Sequence, residues 1–171
     1  MLQNANLVSN VYFPRLVLPI SAPLSALIDF LVSLPLLVLF MFIWHITPTW
    51  GLLLVPVWVL LLMMLSLGVG LIAGGLTVHY RDVQYVLPVV VQFLLFISPV
   101  WYPRSAMPPK YHLLYTLNPL SGLMDGFRWS VLGMGELNLG ALTYTVLVSV
   151  AMLIIGAYSF RSMERRFADV I

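Results

Sequence analysis

The side chains in this sequence that could do chemistry are few and scattered. His45, His79 and His112 lie far apart and lack the close spacing by which helices or loops gather metal ligands. They read as interface residues whose rings reach toward water, so no metal ligand is assigned. Cysteine is absent, which excludes disulfides, Cys-ligated zinc, iron–sulfur clusters and thiol catalysis. The single lysine, Lys110, follows Pro109, and no G-x-x-x-x-G-K-[ST] string occurs. The chain therefore has no phosphate loop with which to hydrolyse ATP. Carboxylates remain. Asp29, Asp82 and Asp125 are the acid–base candidates if the protein is a membrane-embedded enzyme acting on lipid-linked sugars. No Ser-His-Asp or paired-carboxylate spacing accompanies them, and no catalytic residue is assigned. Asp125 and Arg128, three apart, are placed to pair on one helix. Asp29 is the one charge inside an expected membrane span, a costly position that marks function by default. It lies about two turns from the cytoplasmic end of that span, within reach of water or Arg15, and a structural role is preferred.

The elements that must position these groups follow from the charge pattern. The chain has 171 residues, of which 61% are hydrophobic and 8% charged. A soluble domain carries about a quarter charged residues. Residues 30–80, 83–103 and 137–160 contain no Asp, Glu, Lys or Arg. At about 20 residues per crossing, these intervals hold two spans, one span and one span. The expected fold is an all-α polytopic membrane protein with about four transmembrane helices, at 24–44, 52–77, 83–101 and 141–160. The turn His45-Ile46-Thr47-Pro48-Thr49-Trp50-Gly51 divides the first pair. Pro56 falls in the opening turns of the second span, where it is tolerated.

Residues 1–23 form a pre-membrane segment in which Pro14, Pro19 and Pro23 forbid one continuous helix. A short surface helix near 2–13 and then a bend into the bilayer are expected. Tyr111 to Gly133 is apolar but broken by Asn118-Pro119, Gly122, Asp125, Gly126 and Arg128. It reads as a re-entrant helical segment buried in protein, where irregular backbone is tolerated. Leu120, Leu123, Met124, Phe127 and Val131 recur at helical spacing on one face. Ser66, Gly70 and Gly74 make a small-residue ridge with a G-x-x-x-G pattern, read as helix packing within the bundle in preference to a subunit interface.

Basic residues orient the chain. With the N-terminus inside, Arg15, Arg81, Arg161, Arg165 and Arg166 are cytoplasmic, against Arg104, Lys110 and Arg128 outside. Trp44, Trp50, Trp101 and Tyr102 then form an outer aromatic belt. Both termini are expected in the cytoplasm, with 161–171 as a tail. A net charge of +2 is too small for a nucleic-acid surface.

Several strings resemble one family in order. Val11-Tyr12-Phe13-Pro14-Arg15 with Leu18-Pro19 is similar to the cytoplasmic coupling segment of type-2 ATP-binding-cassette export permeases, polysaccharide branch. His79-Tyr80-Arg81-Asp82-Val83 resembles that family's R-D-[VI] loop. Ser98-Pro99-Val100-Trp101-Tyr102-Pro103 resembles its SPV-[FW]-YP string, and Asn118-Pro119 with Gly126-Phe127-Arg128 its LNP…GFR re-entrant segment. Phe160-Arg161 followed by Glu164-Arg165-Arg166-Phe167-Ala168-Asp169-Val170-Ile171 resembles its usual ending.

The resemblance implies a permease subunit exporting polysaccharide or lipid-linked glycan, such as O-antigen, capsule or teichoic acid, across a bacterial inner membrane. It implies a second permease copy as homodimer partner and a separate ATP-binding subunit that holds ATP and magnesium. No cofactor is expected on this chain. Tyr12, Phe13, Pro14 and Arg15 would dock on the ATPase. Trp101, Tyr102, Tyr115, Asn118, Asp125 and Arg128 would line the substrate path or outer gate, where aromatic rings can stack on sugars. Family members have six spans, so the four found here correspond to the C-terminal part of a six-helix permease. A truncated, non-transporting remnant and a drug or lipid exporter of the same superfamily are the further alternatives.

Overall fold

The computed structural model describes residues 17–80, 82–98, 100, 102, 108–133 and 137–167. Every regular element among them is helical. In chain order these are α1 (Val17–Ile43), a 3-10 turn (Trp50–Leu54) running into α2 (Val55–His79), and α3 (Val83–Ile97). A second 3-10 turn (Pro109–Tyr111), α4 (His112–Leu117), α5 (Pro119–Leu132) and α6 (Leu139–Phe167) follow. Three helical stretches, Ser21–Ile43, Trp50–Thr77 and Leu139–Met163, are long and apolar enough to cross a membrane.

Over residues 17–23 the expected bend is not a break in the helix, and Pro14 lies outside the described residues. Pro19 and Pro23 both lie inside α1, as does Pro35. An interior proline removes a single ladder bond. Hydroxyls close to the prolines add local bonds: Ser25 donates to the Ser21 carbonyl at 3.1 Å and Ser33 to that of Phe30 at 2.7 Å. The surface helix expected near 2–13 lies outside the described residues.

The third expected span, 83–101, is represented by a shorter helix. α3 has 15 residues, roughly 22 Å at 1.5 Å per residue, against a hydrocarbon core of about 30 Å. It stops because Ser98 is extended, at φ −77° and ψ 138°. The residue before a proline is pushed out of the helical region, and Pro99 follows.

The first span ends on a Schellman motif with a histidine in the usual glycine position. His45 has φ +52°. Its N–H donates to the Phe42 carbonyl at 3.2 Å, and that of Ile46 donates to Met41 at 2.9 Å. The accompanying apolar contact is present, since Ile46 packs on the cluster of Met41, Val55 and Val131. His45→Gly should therefore raise stability by about 1 kcal/mol by removing the left-handed penalty of a β-carbon. The midpoint of thermal unfolding in detergent would show it.

The most extensive contact joins α2 to α6, which run parallel. A β-carbon on Gly68 would strike the Met152 backbone, one on Gly156 would lie 2.9 Å from the Gly68 α-carbon, and one on Gly75 would strike the end of Met163. The small-residue ridge read as internal packing does not serve there. A β-carbon on Gly70 or Gly74 would meet nothing within 4 Å, and Ser66 is exposed with its hydroxyl on the Met63 carbonyl. Gly68 lies on a different side of α2, so the close approach falls two residues away from the expected motif. α5 lies against both long helices near their N-terminal ends, and its Leu123 is buried with Trp58, Leu61 and Leu65.

Candidate functional site

α5 carries the site, and its start is fixed locally. Asn118 is extended, as the residue before Pro119 must be, and separates α4 from α5. Its Oδ1 accepts from the Leu120 N–H at 3.0 Å, capping α5 in the preferred manner with proline just inside. The same side chain reaches across the chain, its Nδ2 donating to Ser98 Oγ at 3.3 Å. Ser98 is buried at the end of α3. Asn118→Ala should cost about 1 kcal/mol through the lost cap and release the end of α3. Faster amide exchange confined to 94–98 and 119–122 would report both effects.

At the far end, Gly133 closes α5 in the left-handed conformation, φ +64°, with its N–H on the Trp129 carbonyl at 3.0 Å.

Asp125 and Arg128 of α5 are bonded to each other and to neighbouring segments. Tyr115, buried in α4, donates its hydroxyl to Asp125 Oδ1 at 2.7 Å. The expected Asp125–Arg128 pair is present, with Nη1 to Oδ1 at 3.6 Å. Arg128 Nη2 also donates to the Val100 carbonyl at 3.1 Å, tying α5 to the segment after α3. Two residues on, the Tyr102 hydroxyl donates to the Phe96 and Ile97 carbonyls at 3.3 and 3.1 Å. It satisfies acceptors that a helix end leaves open. From α6, Tyr144 donates to the Leu117 carbonyl at 2.8 Å and Thr145 to that of Pro119 at 3.1 Å.

These contacts frame a cavity of about 220 Å³ between α4, α5 and the start of α6. Its lining includes Tyr115, Asn118, Ser121, Asp125, Asn138 and Tyr144. The arrangement offers hydrogen-bond acceptors and donors around the Asp125 carboxylate. Among the described residues no group of three or more His, Asp or Glu is placed to hold a metal.

Of the expected path residues, Tyr115, Asp125 and Arg128 are thus joined in one network, whereas the Asn118 side chain bonds Leu120 and Ser98 and Tyr102 bonds the end of α3. Trp101 and the residues expected to couple to an ATPase, Tyr12, Phe13, Pro14 and Arg15, lie outside the described residues. Asp29 is exposed on α1, and Asp82 precedes α3 without capping it by its side chain. Trp44 and Trp50 are exposed at helix ends.

Sequence reasoning missed the support beneath this network. Trp58 Nε1 donates to Ser130 Oγ at 2.7 Å, and its ring lies where a β-carbon on Gly126 would come within 2.8 Å. Gly122, Gly126 and Ser130 form a small-residue stripe at i, i+4, i+8 on which α2 and α6 close. That stripe was legible as a spacing, but the partner Trp58 was not.

Three long apolar helices with a short capped helix wedged against two of them define a polytopic helical membrane protein. Residues 2–132 match the ABC-2 type transporter family, and the chain belongs to it. Among curated relatives, an O-antigen export system permease protein RfbA of Klebsiella pneumoniae is 25% identical over 98% of this chain and 65% of that protein. One of the same name from Myxococcus xanthus is 30% identical over 97% of this chain and 65% of its own length. The polysialic acid transport protein KpsM of Escherichia coli is 32% identical over 61% of this chain and 40% of its own. The chain thus spans 65% of the length of the first two.

Proposed function

We propose that this chain is part of the membrane permease of an ATP-driven exporter that moves polysaccharide or lipid-linked glycan across a bacterial inner membrane. The observation that carries the reading is the similarity to O-antigen export permeases along 98% of the chain. In this reading ATP and magnesium belong to a separate ATP-binding subunit, and the chain itself carries no cofactor. A second permease copy completes the path, and both termini face the cytoplasm. Trp101 to Gly133 shapes the outer mouth, where the network on α5 sits.

Tyr12, Phe13, Pro14 and Arg15 form the contact with the ATPase. A proline-bent segment with two aromatic rings and an arginine has the composition of an interface anchor. Replacing the four by alanine should weaken association with the ATP-binding subunit by roughly 30-fold, the loss of one hot spot of about 2 kcal/mol. Co-purification and stimulated ATP hydrolysis measure it. Unchanged association and hydrolysis would sink the assignment.

A further inference from the structure

We propose that the cavity between α4, α5 and the start of α6 is a subsite for one neutral sugar residue. The inference rests on the glycan-export reading and narrows it to a class of sugar and a set of side chains. Size is the first argument. About 220 Å³ lies below the roughly 300–1,000 Å³ of drug-sized sites and matches a single hexose, not an oligosaccharide.

Polarity is the second. Each sugar hydroxyl both donates and accepts. The lining supplies carboxylate, amide and hydroxyl groups from Asp125, Asn118, Asn138, Ser121 and Tyr144. Gly122, Gly140 and Ala141 contribute little side chain, which leaves room for a ring.

The third argument is a hydroxyl with nothing to bond. Ser121 is 3% exposed, and its Oγ has no hydrogen-bond partner among the described residues. Buried polar groups are nearly always satisfied, so a sugar that displaces the wall at Ser121, a residue of the cavity lining, gains a hydroxyl that has no competing bond among the described residues.

Charge selects the sugar. Among the described lining residues Asp125 is the one Asp, Glu, Lys or Arg, and its partner Arg128 is not among them. The Asp125 carboxylate, paired with Arg128, accepts from hydroxyl donors in charge-assisted bonds, and the described lining offers an acidic sugar no cation to pair with. A neutral hexose therefore fits and a sialic acid or uronic acid does not. Few bonds to one ring give a dissociation constant on the order of 1 mM. Such weakness suits a path that must release every unit it binds.

Saturation-transfer NMR on the full chain in a sugar-free detergent tests this, with methyl α-D-glucopyranoside and N-acetylneuraminic acid as probes. Transfer to the glucoside with millimolar affinity and none to the acidic sugar is expected. Asp125→Asn should weaken the glucoside about tenfold and admit the acidic sugar, a reversal that a merely structural residue would not produce. Ser121→Ala should weaken the glucoside several-fold, and it decides the matter if Asp125→Asn does not fold. Absence of transfer, equal transfer to both sugars, or indifference to both variants would overturn the subsite. The measurement needs no ATPase. Sugar binding without ATPase association removes the transport reading and leaves the subsite, whereas ATPase coupling without sugar binding does the opposite.

Discussion

Gly156→Leu is expected to destabilise the folded bundle by about 3 kcal/mol, near the top of the range for overpacking. The reason is what its β-carbon would strike. It would meet the carbonyl oxygen of Gly68 and lie 2.9 Å from the Gly68 α-carbon, and both are backbone atoms of a helix. A side chain can rotate away, but a helix backbone retreats only by moving as a rod. α2 and α6 would have to part along their shared length, loosening the packing around Leu65 and Met152. In a bilayer there is no hydrophobic drive between helices to offset that loss, since lipid tails are as apolar as leucine. The control is on α2. Gly70→Ala and Gly74→Ala should leave the isolated chain's stability within about 0.5 kcal/mol or raise it, because alanine is the better helix former and the space is open. Thermal unfolding of the four proteins in one detergent decides it. Equal losses at Gly70 and Gly156 would show that the crossing is misplaced.

That contrast marks where the sequence was legible. Charge gaps located the long helices because a charge in hydrocarbon is expensive regardless of fold. The pieces of the α5 site were legible where chemistry is local: the Asn118 cap, the Asp125–Arg128 spacing and the apolar face of Leu120, Leu123, Phe127 and Val131. Met124 has the same spacing but joins neither buried cluster. The end of α3 was also available, in Ser98-Pro99, but a continuous apolar run through Trp101 outweighed it.

Other features depend on which side of a helix meets which neighbour. α2 is apolar all round, so its sequence holds two small-residue ridges, one through Gly70 and Gly74 and one through Gly68 and Gly75. Periodicity cannot choose between them; the glycines of α6 do. The prolines of α1 misled for a related reason. Their cost is one bond each, and a long apolar helix has enough remaining ladder to absorb it.

Trp58→Ala should be the most damaging single side-chain truncation, at about 4 kcal/mol. Trp58 is 6% exposed and packs with Leu61, Leu65 and Leu123, so its removal leaves a void where α2 meets α5. Its ring also fills the depression at Gly126, and its Nε1 satisfies Ser130, which is fully buried. The ring's packing and the hydrogen bond can be separated. Trp58→Phe keeps most of the apolar ring but strands the Ser130 hydroxyl, at a cost of about 2 kcal/mol. Ser130→Ala alone strands the indole N–H instead. If the hydrogen bond carries this second cost, the double variant Trp58→Phe/Ser130→Ala should lose less than the sum of the two, by about 1 kcal/mol, because no buried polar group is then left without a partner. Additive losses would assign the cost to ring shape alone. The functional consequence differs between the variants. Trp58→Ala removes the floor beneath α5, and with it the rigidity that holds Tyr115 on Asp125 and Arg128 on Val100. The double variant keeps that floor. Under the proposed export function, transport should therefore fall with the first and persist with the second, even though both abolish the same hydrogen bond.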